Sequence, residues 1–500
     1  MSGFELQEAT IEGIQGAIRG REATAAELVR GYLARIEGYD RAGPELNAVV
    51  ATNADAALAR AEELDRAFAD TGELAGPLHG IPVALKDNIL TADMPTTFGS
   101  IAMDGYRPRA DATVTRRLRE AGAIILAKTT LPDWASSWFS YSSLSGETRN
   151  PYDPRRDPGG SSSGTGAAVA ASLCAVGLGT DCGGSIRVPS SFCNLVGMRS
   201  TPGVVPRAGT SYLVIPQDTC GPMTRTVTDA ARVMDVLVGY DPADPYSAAH
   251  AVARRERSYV AELVPDGLRG ARVGLVTNAL GSEDDAGMAA VNAVVRDAVA
   301  AIGAAGGEVV EVEIPELMDH IVATSMYTDR SKHDIDLFLA ELADPPVRNL
   351  REVYEAGKYH RDLDLMDAIM AGPEKPEESA DYLRRFAARH EFTLAVLDLF
   401  ARHELDLLAY PSVRVPPPTM EGRARWTTLT FPTNTLIASQ TWTPAMTVPA
   451  GFADVGAPVG LELVAKPYDE ATLFRCGFAF EQAANHRRAP ESRPDLASAP

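Results

Sequence analysis

Three short stretches of this chain carry residues whose types and spacing suit acyl chemistry. Two are glycine-serine loops, Gly159-Gly160-Ser161-Ser162-Ser163-Gly164 and Asp181-Cys182-Gly183-Gly184-Ser185-Ile186-Arg187; the third is Lys86 in HGIPVALKDN. Glycines beside serines let the main chain approach a ligand and aim N–H groups at it, while the hydroxyls supply a nucleophile and a proton carrier. Such a site still needs a base. Lys86 closes the apolar run Ile81 to Leu85, where burial penalises the ammonium and draws its pKa towards neutrality.

The periodicity around these stretches says what must hold them. Ile81, Val83 and Leu85 alternate as in a strand ending at Lys86, a helix is predicted from about Thr113 to Glu120, and Ile124 to Leu126 reads as the next strand. The serine loop feeds the small-residue helix AAVAASLCAV, and Val176 to Thr180 reads as a buried strand delivering Gly183, Gly184 and Ser185. Both loops therefore fall at element ends. The same rhythm returns in Val273 to Val276, a helix about Ala289 to Ala301 and Val309 to Val312, and further strands are predicted at Leu407 to Ala409, Ala445 to Val448 and Leu461 to Val464. Upstream, Thr24 with Glu27 makes a capping box for a helix reaching Gly38, and a second helix starts near Asn53 and stops at Gly72; the last helix runs from about Glu470 to Asn485.

The predicted fold is thus α/β: one large domain over 1–486 with a central mixed, twisted sheet covered by helices on both faces. Residues 76–230 hold Lys86 and both glycine-serine loops, the core of that domain. The charged, proline-broken stretch of about 321–402 reads as a helical insertion, either covering a pocket or lying as a solvated elaboration, and 487–500 reads as a mobile tail.

Composition narrows the function classes. With 500 residues, 45% hydrophobic and 23% charged, the chain has the makings of a large globular core, and a net charge of -20 disfavours nucleic acid and anionic membranes as partners. Five scattered cysteines form neither a disulfide framework nor a metal motif, which suggests reduced thiols and a cytoplasmic setting. No secretory start or run of about 18 apolar residues is expected to place it in a membrane.

Competing motifs fail on context. Gly160 to Gly164 matches GxSxG, but the preceding NPYDPRRDPG cannot be the central strand a nucleophile elbow needs. The eight histidines show no HExxH spacing, so no metal is implied, and only His79 lies near a motif. Neither glycine loop fits a phosphate-cradling pattern.

Taken together, GPLHGIPVALKDNI, ETRNPYDP followed by GGSSSG, GLGTDCGGSIRVPSSFCNLVGMRSTPG and QDTCGPMTRTVTDA closely resemble the amidase signature family, and TPAMTVPAGF with PVGLELVAKPYDEATL extends the resemblance to nearly the whole chain. The intervals agree too, with 75 residues from Lys86 to Ser161 and 24 more to Ser185. The resemblance implies Ser185 as nucleophile, Ser161 as the bridging serine after a cis peptide bond, and Lys86 as base. It further implies an oxyanion hole from the N–H groups of Cys182, Gly183, Gly184 and Ser185, with Asp181 and Arg187 shaping the loop and no cofactor. Ser162 and Thr180 are expected to hydrogen-bond within the site. Ser163 stands where many relatives carry glycine, and Cys182 is expected to pack rather than react.

The resemblance implies a small-molecule amide substrate. Trp134, Trp138 and Phe139 lie where the family builds its pocket and suggest an apolar or aryl group. Carbamate or ester hydrolysis stays open, as does a homo-oligomer. The glutaminase subunit of a tRNA-dependent amidotransferase is the main alternative, although the stretch TPGVVPRAGTSYLVIPQD lacks the Arg-Tyr-Gly run expected of it.

Overall fold

The computed structural model describes residues 4–253, 258–454 and 456–491. Eleven strands form one mixed sheet: β1 (Val49–Thr52), β2 (Pro82–Lys86), β3 (Ile124–Thr129), β4 (Val176–Asp181), β5 (Val196–Arg199), β6 (Thr219–Thr224), β7 (Arg272–Val276), β8 (Glu308–Val312), β9 (Leu407–Pro411), β10 (Ala445–Phe452) and β11 (Pro458–Val464). Their order across the sheet is β1-β3-β2-β4-β6-β5-β10-β11-β9-β7-β8.

Two parallel regions flank an antiparallel middle. β3, β2 and β4 run parallel on one side, β9, β7 and β8 on the other, and the strands between them pair antiparallel. Parallel neighbours need a crossover, and the helices Thr113–Glu120 and Ala286–Ala304 supply it between β2 and β3 and between β7 and β8. A parallel pair also brings like ends together. Leu85 on β2 lies opposite Leu178 on β4, so Lys86 and Thr180 emerge side by side from the same edge of the sheet.

Local signals explain most of the surrounding helices. Thr24 and Glu27 form the reciprocal capping box of Ala25–Arg35, and Asn53 caps Ala54–Thr71, which ends at left-handed Gly72. The first of these helices passes Gly38 as a wider π turn over Ile36–Arg41. The helix after the serine loop is Ser163–Ala170, earlier than its alanine run suggests, because Leu173 and Ala175 turn away to pair with Ala168 and Pro82. β1, β5 and β6 were not expected, being short or interrupted by Gly197, Gly221 and Pro222.

The helix Ala286–Ala304 is long and apolar enough to cross a membrane by composition, with a mean hydropathy of 1.3. Its face of Val291, Val295, Ala298 and Ile302 is buried in the main core. Between 317 and 402 lie five α-helices and one 3-10 turn, and a second core joins Ile335, Phe338, Leu350, Ile369 and Tyr382 from this stretch to Phe98, Trp134, Trp138 and Phe139. This stretch therefore packs over the serine loops rather than standing in solvent. Of the expected tail, 492–500 lie outside the described residues, and Arg487 is held by Glu8 and by the carbonyl of Asn194.

Candidate active site

Each predicted residue arrives from a different element end. β2 ends in Lys86, β4 in Thr180 and Asp181, the serine loop precedes the helix Ser163–Ala170, and the loop 182–186 precedes the helix Arg187–Phe192. The two loops are pinned together, since the main-chain N–H of Ser162 donates to the Ser185 carbonyl at 3.1 Å. Gly164 allows the close fit: a Cβ there would lie 2.2 Å from the Ala48 carbonyl and 2.4 Å from the Thr130 nitrogen.

Lys86 is wholly buried, and its Nζ lies 2.7 Å from Ser161 Oγ and 2.8 Å from Thr180 Oγ1. Asn88 Nδ2 donates to the same threonine oxygen at 3.1 Å. Ser162 Oγ donates to the Thr180 carbonyl at 3.3 Å, so Ser162 and Thr180 do hydrogen-bond within the site. The partners of the amine are neutral oxygens. Burial consequently draws the Lys86 pKa down to about 7, against the opposing pull of the carboxylates of Asp218 and Asp181. The Gly160–Ser161 peptide bond is cis.

The second loop is shaped from below by buried charge. Asp181 accepts from the Ile186 N–H at 3.1 Å and from Arg187 Nε and Nη2 at 3.0 Å each, and Arg199 reaches it at 3.0 Å. Burial would raise its pKa, but Arg187 and Arg199 outweigh that and hold it at about 2. Arg187 also pairs with Glu462 and donates to the Thr435 carbonyl and Ser439. Both ends of the Asp181–Arg187 pair are fully buried, so it is no surface ion pair. Breaking such a pair from one side costs about 3–5 kcal/mol, which makes it a brace for the loop.

Above this brace the loop is free to meet a ligand. Among the described residues no protein acceptor takes the main-chain N–H groups of Gly183, Gly184 or Ser185. Gly184 has φ +146°, and a Cβ on Gly183 would sit 1.9 Å from the Tyr327 hydroxyl oxygen. Cys182 is buried in the aromatic core beside Tyr327, burial pushes its thiol well above the usual range, and its carbonyl accepts from Gln217 Nε2 at 2.8 Å. It packs rather than reacts.

Ser185 lines a narrow pocket together with Ser137, Trp138, Leu213, Tyr327 and Leu365. Of the three aromatic residues expected there, Trp138 alone forms this wall, its Nε1 donating to the Thr428 carbonyl at 2.8 Å. Trp134 and Phe139 are corrected to the layer behind: Trp134 stacks on Phe98 at 5.4 Å and Phe139 meets Phe431 edge-on at 5.2 Å. His79 is not in the site. Its ring faces Phe68 and its Nδ1 accepts from the Ala75 N–H. Glu147, His360 and Asp362 bring ligand-type atoms within 4.8 Å of one another, but Arg423 already occupies the Glu147 carboxylate. Ser163 is buried with its hydroxyl unpartnered.

The sequence reading missed Asn88, Arg199, Gln217, Asp218, Tyr327 and Thr435. Asn88 alone had a local signal, an amide two residues beyond the lysine.

An α/β fold with a buried lysine against a serine loop and a glycine-rich second loop defines the class, and comparison with known sequences gives the family. A profile of the Amidase family matches residues 27–474, and the chain belongs to that family. It is an amidase-family hydrolase acting on carbon–nitrogen bonds. Its sequence is 33% identical over 496 residues to a glutamyl-tRNA(Gln) amidotransferase subunit of Gloeobacter violaceus, covering 96% of this chain and 98% of that one. In structure it is similar to the peptide amidase of Stenotrophomonas maltophilia, with a TM-score of 0.87, 34% identity and coverage of 97% and 99%. A bacterial aryl acylamidase of the amidase signature enzymes superposes with a TM-score of 0.80 at 25% identity, covering 99% of each chain.

Proposed function

We propose that this protein hydrolyses the amide bond of a small, uncharged substrate bearing an apolar or aryl group, through an acyl-enzyme on Ser185. The observation that carries the reading is the Lys86 amine, fully buried, 2.7 Å from Ser161 and with its pKa drawn down to about 7. An unassisted serine hydroxyl is too weak a nucleophile for an amide. As Ser185 Oγ attacks the carbonyl carbon, its proton passes to Ser161 Oγ while the Ser161 proton passes to the neutral Lys86 Nζ. The oxyanion that forms takes hydrogen bonds from the N–H groups of Cys182, Gly183, Gly184 and Ser185, where the loop leaves donors free.

Collapse of that intermediate breaks the C–N bond, and the relay runs backwards to protonate the leaving amine. Water then attacks the Ser185 ester, giving its proton to the same relay, and the acid leaves as Ser185 regains its hydrogen. The protein's own groups complete this cycle, so a chelator should leave the rate unchanged. The apolar wall of Trp138, Leu213 and Leu365 suits an aryl or alkyl group, and the likeness to a peptide amidase and an aryl acylamidase supports substrates of that character.

A second reading rests on the curated relatives, which include that glutamyl-tRNA(Gln) amidotransferase subunit from several organisms. Glutamine carries an α-ammonium and an α-carboxylate, and among the described residues the wall beside Ser185 offers neither charge a partner. The purified chain decides between them. Turnover of an anilide or a peptide amide by the chain alone, with trapping of a hydroxamate by hydroxylamine, supports the amidase; hydrolysis of glutamine only, and only with added partner subunits, overturns it. Carbamates and esters in the same panel define the breadth of the acyl group.

A further inference from the structure

A second cavity, sharing no wall residue with the pocket at Ser185, opens between the helix Ala380–Arg402 and the loops after β5 and β11. Its volume is about 680 Å³, enough for a ligand of ten to twenty heavy atoms, an order-of-magnitude range for small-molecule sites. Tyr246, Phe386, Trp442 and Tyr468 make its wall largely aromatic, and among the described residues Arg389 and His390 are the basic side chains in it and no aspartate or glutamate lines it.

Arg389 sets the chemistry. It is 3% exposed, its guanidinium lies 4.1 Å over the Trp442 ring, and its hydrogen bonds go only to neutral oxygens, the Gln440 carbonyl at 2.7 Å and Gln217 Oε1 at 3.2 Å. No carboxylate among the described residues pairs with it. Burial and the neighbouring Arg199 both disfavour its cation, yet a guanidinium stays charged at physiological pH. Two buried donors of this one wall, Arg389 Nη1 and Trp442 Nε1, have no acceptor among the described residues. A buried donor left without an acceptor is costly, more so when it is charged, so a positive wall with two of them calls for an anion.

We propose that this cavity is a second binding site, for an organic monocarboxylate with an aryl or apolar body, whose carboxylate accepts from Arg389 and Trp442 while the aromatic wall holds the rest. Selectivity follows from the same residues: a dianion exceeds the single buried cation, and an ammonium finds no acidic partner. The contact also reaches the catalytic loop, because Gln217, which receives Arg389, donates to the Cys182 carbonyl at 2.8 Å.

Calorimetric titration of the full chain with 3-phenylpropionate, and with uncharged 3-phenyl-1-propanol, tests this. The acid is expected to bind with one-to-one stoichiometry and the alcohol at least about tenfold more weakly, the loss of a charge-assisted pair. Ala249→Trp, at the exposed rim, fills the mouth and should weaken the acid by about tenfold or more while amide hydrolysis is unchanged; Arg389→Gln should do the same to binding in protein shown to be folded by its melting curve. Affinity unaltered by Ala249→Trp, equal affinity for acid and alcohol, or no binding of the acid at millimolar concentration overturns the proposal. Should Arg389→Gln fail to fold, Ala249→Trp and the neutral analogue decide alone.

Discussion

Lys86 and Lys128 lie on the neighbouring strands β2 and β3, and both are fully buried. They differ in what meets the amine. Lys128 Nζ sits 3.0 Å from the Asp87 carboxylate and donates to Thr96 Oγ1 at 2.7 Å, an ion pair sealed inside the protein. Lys86 finds hydroxyls instead, those of Ser161 and Thr180. Burial pulls both pKa values down, but at Lys128 the adjacent Asp87 charge resists it, whereas at Lys86 the nearest opposing charges are the more remote Asp218 and Asp181. A buried lysine with a carboxylate in contact is a structural cation; one among hydroxyls can exchange its proton near neutral pH. On the proposed function, the same residue type, one strand apart, serves stability at one position and chemistry at the other.

This contrast breaks if the two lysines respond alike to substitution. Lys86→Met should reduce kcat by about 10²–10⁴, the range for a general base, with the fold retained because no carboxylate loses its contact. Lys128→Met should spare the chemistry and instead cost about 3–5 kcal/mol of stability, read from a denaturant titration, because Asp87 is left buried and uncompensated. A Lys128→Met protein as stable as the parent, or a Lys86→Met protein with near-normal kcat, would void the distinction.

Proton dependence sharpens it. Hydrolysis should rise with pH through about 7 as Lys86 becomes neutral, and a rate that peaks in acid would contradict its role as base. Lys86 holds its proton less tightly in the fold than in the unfolded chain, so between about pH 7 and the ordinary 10.5 the unfolded chain binds the extra proton and stability climbs with pH. That climb should persist in Lys128→Met and shrink in Lys86→Met, as pH-dependent melting curves would show. The smallest expected effect is that of Thr180→Val, which takes one acceptor from Lys86 and leaves Asn88 Nδ2 without its own. A loss of about 0.5–1.5 kcal/mol lowers kcat by roughly two- to thirteenfold, and an unchanged rate would remove Thr180 from the tuning of the amine.

The two halves of the site were not equally readable beforehand. The strand ending at Lys86 shows itself in the alternation of Ile81, Val83 and Leu85, and the helix Thr113–Glu120 was placed at both ends. β6 did not show itself, since Gly221 and Pro222 weaken every strand signal while pairing with β4 holds them extended. The pocket wall was the least readable part. Trp134, Trp138 and Phe139 lie within six residues and have similar claims to a pocket, yet only Trp138 reaches the wall beside Ser185. Tyr327 and Leu365 reach the same wall from far along the chain, Tyr327 at the start of the helix Tyr327–Glu341 and Leu365 just before the helix Met366–Met370.

Residue order alone was enough for everything that depends on near neighbours: the caps, the parallel β-α-β rhythm, the two glycine-serine loops at element ends and an amine closing an apolar strand. Those features arise from interactions within a few residues, which a linear reading contains in full. The environment of the amine was settled elsewhere. Which lysine meets a carboxylate and which meets a hydroxyl, the brace of Arg187 between Asp181 and Glu462, and the bonding of Arg389 to Gln440 and Gln217 beside its aromatic cavity all join positions distant in the chain. Burial and charge are sums over whatever the folded chain brings near, and for these groups that sum exists only once the sheet has closed over them.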